Sequence, residues 1–299
     1  MTFAPQSPDA PPAVPMAATP GWYGDPWAVA PWRWWDGYRW TAHLWPTQGT
    51  PLPWAGTGPL VTDARGNGFG RAFWPSVGWM LVSMVAAVGI AIAPTVLATI
   101  VGGEQAALAT FVLAFYPAMF LGFWLASRKL SRRYGSGDMR RDYGWRHFRA
   151  ADIGWGLLAG LGALVAQIVL GIVLPQPGDG SYRDAVFGES PSTVLLVGMG
   201  FAIVVGAPLF EELLFRGPMM RSLIARFGTW PGLVLQGAVF ALYHVVGNPT
   251  LVTLWYLLPL FAVGVIFGFV AHRTGRLATS QIAHASMNAL AFVALVVAL

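Results

Sequence analysis

From Phe73 to its end the chain alternates between long apolar runs and short polar breaks, and before Phe73 no apolar run is long. About 20 apolar residues suffice to cross a ~30 Å hydrocarbon core as a helix. The pattern predicts spans at about 74–101, 106–127, 151–174, 192–215, 231–248, 251–271 and 278–298. The fourth is expected to run on as helix to about Arg226, with Pro218 its one interior breaker, and Pro94, Pro117, Pro208 and Pro259 are kink candidates. The spacing of Gly156, Gly160 and Gly162 suits close helix packing. The expected fold is all-α: a polytopic transmembrane helix bundle of about seven spans, preceded by a small Trp-rich β module.

The front end reads differently. Residues 1–20 are expected to be disordered and 47–72 to form a linker, both being rich in Pro, Gly, Ala and Thr. Between them, residues 21–46 hold seven tryptophans, at 22, 27, 32, 34, 35, 40 and 45. Asp36-Gly37 between aromatic runs signals a two-residue hairpin turn, because glycine tolerates positive φ. The pattern GWY-x-DP followed by WWDG-x-RWT-x-H resembles a short Trp-rich domain of unknown function common in bacterial membrane proteins. The bundle is expected over 73–299.

Composition fixes the solvent. Hydrophobic residues make up 56% of the chain and charged ones 10%, against about a quarter charged in soluble domains, so lipid solvates the core. The absence of cysteine excludes disulfides and thiolate zinc sites. The net charge of +5 comes from arginines and the single Lys129, placed between apolar runs, which fits lipid headgroups rather than nucleic acid. Residues 1–20 lack a basic start followed by an apolar run, so they are not expected to be a signal peptide. Loop 128–150 carries eight basic residues against Asp138 and Asp142, and the positive-inside rule makes it cytoplasmic. The N-terminus is then cytoplasmic, and loop 175–191 and Leu299 lie outside. The expected setting is the cell membrane of a bacterium.

Ionisable groups inside a bilayer are costly and mark function by default. Two of the four glutamates, Glu211 and Glu212, are adjacent in the fourth span. Glu212 and Arg216, at i and i+4, can pair on one helical face, which reads as structural. Glu211 points about 100° away and has no partner in its own helix. Phe240 and His244 stand one turn apart in the fifth span, and His284 and Asn288 one turn apart in the seventh. At ~1.5 Å per residue, Glu211, His244, His284 and Asn288 lie about 24, 20, 12 and 18 Å in from the nearest turns. None can face lipid, so they are expected to converge. A lone intramembrane His or Asn is ordinarily an interhelical hydrogen-bonder; here the ordered combination argues for chemistry.

A carboxylate among apolar helices suits a general base acting on water, and imidazole with carboxamide can donate to a developing oxyanion. Glu211, His244 and His284 could instead bind one zinc with a fourth position open to water, so metal-free and zinc-assisted hydrolysis both stay open. Rival classes are an ion- or proton-coupled transporter, which would predict internal repeats, and a non-catalytic membrane scaffold, which would predict decay of the polar motifs.

The ordered motifs EE-x-x-x-R at Glu211, Glu212 and Arg216, F-x-x-x-H at Phe240 and His244, and H-x-x-x-N at His284 and Asn288 resemble the CAAX-protease and bacteriocin-processing family. The resemblance covers roughly the last 110 residues, with the core at about 190–299. It implies an intramembrane endopeptidase in which Glu211 and His244 activate water and His284 with Asn288 forms the oxyanion hole. Its implied partner is a membrane-embedded or lipidated peptide or protein.

Overall fold

The computed structural model describes residues 21–24, 32–35, 40–45, 69–174, 190–246 and 255–297. The flank 1–20, most of the linker, and most of loop 175–191 lie outside the described residues. The chain divides into two compact units, 1–55 and 56–299.

In the first unit, β1 (Gly21–Gly24), β2 (Trp32–Trp35) and β3 (Trp40–Trp45) form an antiparallel sheet in that order. Trp22 faces Trp34 across the sheet, the rings edge to face at 5.5 Å. Such cross-strand aromatic pairs are what a sheet this small depends on. Trp35 faces Trp40, so four residues join β2 to β3. This corrects the two-residue turn expected at Asp36-Gly37, which would have set Trp35 opposite Tyr38; the connection itself lies outside the described residues.

The second unit is the helix bundle of an integral membrane protein. Its helices are α1 (Phe73–Tyr134), α2 (Met139–Tyr143), α3 (Ala151–Val173), α4 (Thr193–Phe227), α5 (Thr229–Val246), α6 (Leu257–Thr274) and α7 (Leu277–Val297). Among the described residues, α1, α3, α4, α6 and α7 are long and apolar enough to cross a membrane. α1 is broken at Gly103 (φ 75°, ψ −167°), a conformation that favours glycine. Its halves fold back, since a Cβ on Gly122 would sit 2.6 Å from the Ser83 Cβ. The loop expected at 102–105 is thus a single-residue break, and the second span runs on to Tyr134.

Helix packing relies on small residues where backbones approach. A Cβ on Gly156 would meet Ile282 of α7 at 2.7 Å, and one on Gly160 would strike Ser286. One on Gly162 would meet nothing within 4 Å, so only the i, i+4 pair forms the interface. α5 and α6 cross equally closely, where a Cβ on Gly264 would approach the Gly237 Cα to 2.9 Å. Large apolar side chains such as Val85, Ile100, Ile172 and Val197 point outward, as a lipid solvent permits.

One polar cluster seals an end of the bundle. Asp142 is buried and accepts from the Ser131 hydroxyl at 2.5 Å and from the Ser136 hydroxyl at 2.7 Å. Beside it, Tyr143 is fully buried, and burial pushes its phenol well above the usual tyrosine range. Its ring packs against Gly217 of α4, which brings this loop up to the site.

Candidate active site

α4 is not a uniform helix. Wide π turns at Ala202–Gly206 and Phe215–Met219 flank the regular segment Ala207–Leu214 that carries both glutamates. Pro208 and Pro218 lack the N–H that would close an ordinary turn, and Gly217 departs from helical geometry (ψ −109°). Of the four proline kink candidates, Pro208 thus adjoins one wide turn; the other contains Pro218. Turns of this kind re-aim side chains and recur at functional sites.

The two glutamates diverge as the helical spacing requires. Glu212, fully buried, pairs with Arg216 at 2.9 Å. It also bonds the His284 Nδ1 at 3.0 Å through the same oxygen, Oε1, so it serves α7 as well as its own helix. The expectation of a purely intrahelical pair was too narrow. Arg216 lies 4.4 Å from the centre of the Phe240 ring and donates to the Gly264 carbonyl at 3.3 Å. Its charge is thus paired, as a fully buried guanidinium requires, while its Nε has no hydrogen-bond partner among the described residues.

Glu211, 5% exposed, faces α5. Its Oε2 lies 3.8 Å from the His244 Nε2 and has no hydrogen-bond partner among the described residues. The His244 Nδ1 lies 2.8 Å from the Phe240 carbonyl. A carbonyl only accepts, so Nδ1 is the donor, and in the neutral ring Nε2 presents a lone pair. Two acceptors therefore face each other across a gap too long for a direct bond. The His244 side chain is about 29% exposed, while the Glu211 Oε2 opposite it is buried.

Phe240 is more than packing beside the site. The His244 and His284 rings lie 4.6 and 6.1 Å from its centroid, with Arg216 over its face, so it draws three motifs together. Asn288, half-buried, donates from Nδ2 to the Ile203 carbonyl at 2.8 Å, inside the first wide turn. The second N–H of that amide remains available. Sequence reasoning missed Tyr243, whose hydroxyl lies 3.4 Å from the Glu211 Oε1. The signal was a phenol next to His244 within an apolar span, where a hydroxyl needs a partner.

Zinc does not fit these side chains as placed. Among the described residues no three His, Cys, Asp or Glu side chains gather at metal-binding spacing. Glu211 and His244 supply two facing donors, while His284 turns its Nδ1 to Glu212. The expected ligand set Glu211, His244 and His284 is thus not assembled.

Beside the site, an apolar groove of about 1170 Å³ runs between the second half of α1 and the first half of α4. Leu209, Phe210 and Gln281 bring its wall next to Glu211, and Trp145 and Arg146 stand in its lining. Phe120 stacks on Phe210 at 5.3 Å between groove and glutamates.

Residues 193–290, which contain all three motifs, match a family model described as Rce1-like, type II CAAX prenyl endopeptidase. No curated protein and no solved structure matches the chain significantly. Paired glutamates on a re-aimed helix and two imidazoles gathered on one phenylalanine thus lie within the matched stretch, so that residues 193–290, about a third of the chain, are similar to the type II CAAX prenyl endopeptidases.

Proposed function

We propose that the protein hydrolyses a peptide bond within the bilayer using a water held between Glu211 and His244. The observation that carries this reading is the pair of acceptors 3.8 Å apart, since a water can donate one proton to each. Glu211 takes a proton as the water oxygen bonds to the scissile carbonyl carbon, and His244 orients the attack. The oxyanion receives the free Asn288 N–H and a hydrogen bond from the His284 ring, which Glu212 holds at Nδ1. Collapse of the intermediate returns the proton from Glu211 to the leaving amine.

A lipidated peptide as substrate is supported by the similarity of residues 193–290 to prenyl endopeptidases, and the apolar groove beside Glu211 is suited to the lipid chain. The test is cleavage of a farnesylated CAAX-type peptide, and of the same peptide unlipidated, by purified protein in vesicles. Wild type cleaves the lipidated peptide and Glu211→Gln does not; equal rates for the two proteins would end the general-base assignment. Because this chemistry is complete without a metal, a zinc chelator leaves the wild-type rate unchanged. Chelator-induced loss restored by zinc would instead make Glu211 and His244 ligands.

A further inference from the structure

We propose that Tyr243 is a positioning residue for Glu211, holding one carboxylate oxygen so that the other is kept for water. The inference rests on the hydrolytic reading above and assigns a part to a residue outside the three motifs.

The phenol has little freedom. Tyr243 is 8% exposed, and its ring lies 5.1 Å from Phe215 and 6.0 Å from Phe123. Its hydroxyl sits between two acceptors, the Glu211 Oε1 at 3.4 Å and the Met119 Sδ at 3.3 Å. A thioether is a weak acceptor and a carboxylate a strong one, so the proton belongs to Glu211 whenever that group is ionised. The 3.4 Å separation is longer than an ordinary O–H···O hydrogen bond, and catalytic contacts of this kind commonly tighten only once substrate is bound.

The consequence lies in what the carboxylate would otherwise do. Glu211 is adjacent to Glu212, the partner of Arg216, and an untethered carboxylate could turn toward that guanidinium. With Oε1 engaged by Tyr243, Oε2 is left facing the His244 Nε2. The Met119 Sδ of α1 lies 3.3 Å from the same hydroxyl without holding its proton, so α1, α4 and α5 meet around one oxygen. A general base works only when its lone pair is aimed at the proton it removes, and small misplacements cost large factors in rate.

The experiment uses the full chain in vesicles with the farnesylated CAAX-type peptide. Tyr243→Phe keeps the ring packing and removes the hydroxyl. It should lower kcat about tenfold, leave KM within about twofold, and leave the melting temperature near wild type. Met119→Leu removes the competing acceptor at similar volume and should leave kcat within about twofold. Adding Tyr243→Phe to Glu211→Gln should change the residual rate by less than about twofold, because the hydroxyl acts through that carboxylate. The proposal is overturned if Tyr243→Phe keeps wild-type kcat while Glu211→Gln is inactive. It is equally overturned if the tenfold loss persists in the Glu211→Gln background, or follows a matching loss of folded protein. Full activity in Glu211→Gln would sink the hydrolytic reading itself, a result distinct from these.

Discussion

Glu211 and Glu212 are neighbours in the chain and serve opposite sides of one helix. Replacing Glu211 by Gln keeps its shape and removes a base, so turnover should fall by about two to four orders of magnitude with melting near wild type. Glu212→Gln leaves a fully buried guanidinium without its charge partner, a cost of about 3–5 kcal/mol. It also replaces the charged acceptor at the His284 Nδ1 with a weaker neutral amide oxygen, so stability and turnover should fall together. Peptide hydrolysis measured beside detergent-solubilised melting separates the two variants, and a Glu212→Gln protein of wild-type stability would contradict the pairing. The i, i+4 spacing made Arg216 legible as a partner of Glu212, and the helical turn made Glu211 legible as the odd one out. That Glu212 also bonds His284, and Glu211 approaches Tyr243, depends on how α7 and α5 lie against α4. No local periodicity encodes that placement.

Among the elements, α3 offers an internal comparison. Gly160→Leu drives a side chain into Ala283 and Ser286 of α7, and overpacking of this kind costs about 1–3 kcal/mol. Gly162→Leu enters open space and should change stability by no more than about 0.5 kcal/mol. Melting of the two variants decides whether this interface is built as described; equal effects would refute it. The sequence pointed to Gly156, Gly160 and Gly162 alike, because spacing alone cannot say which face meets a neighbour. The wide turns were half legible. Pro208 and Pro218 mark where α4 must deviate, but whether a proline kinks a helix or widens it depends on what receives the freed carbonyl. For Ile203 that is Asn288, 85 residues further on.

At the scale of the molecule, the two units predict a boundary. Removing residues 1–55 should leave the melting of the bundle unchanged, since these residues form a compact unit of their own. Extending the deletion through Arg71 should destabilise it. Phe69 is buried beside Tyr143, with Leu213 and Leu277 in the same cluster, so the bundle's packing begins four residues before α1. Thermal melting of both truncations tests this, and a stable longer truncation would refute it. The arginines predict an orientation in which a cysteine placed at Asp138 of this cysteine-free chain reacts only from the cytoplasmic side. Labelling by an impermeant reagent on intact cells would reverse the topology.

The wide turns also set which changes of length the fourth helix can absorb. A turn closed over five residues holds one more than an ordinary turn, so each is a built-in reserve of chain. A one-residue deletion within 202–206 can be taken up by relaxing to regular helix, at the expense of the Asn288 anchor but not of the span. The same deletion at Leu213 or Leu214, inside the regular segment, has no reserve at its own position and swings one charge about 100° away from the other. Indel scanning along this helix should therefore read out as two tolerant islands enclosing an intolerant stretch, a signature that substitution scanning would not reveal.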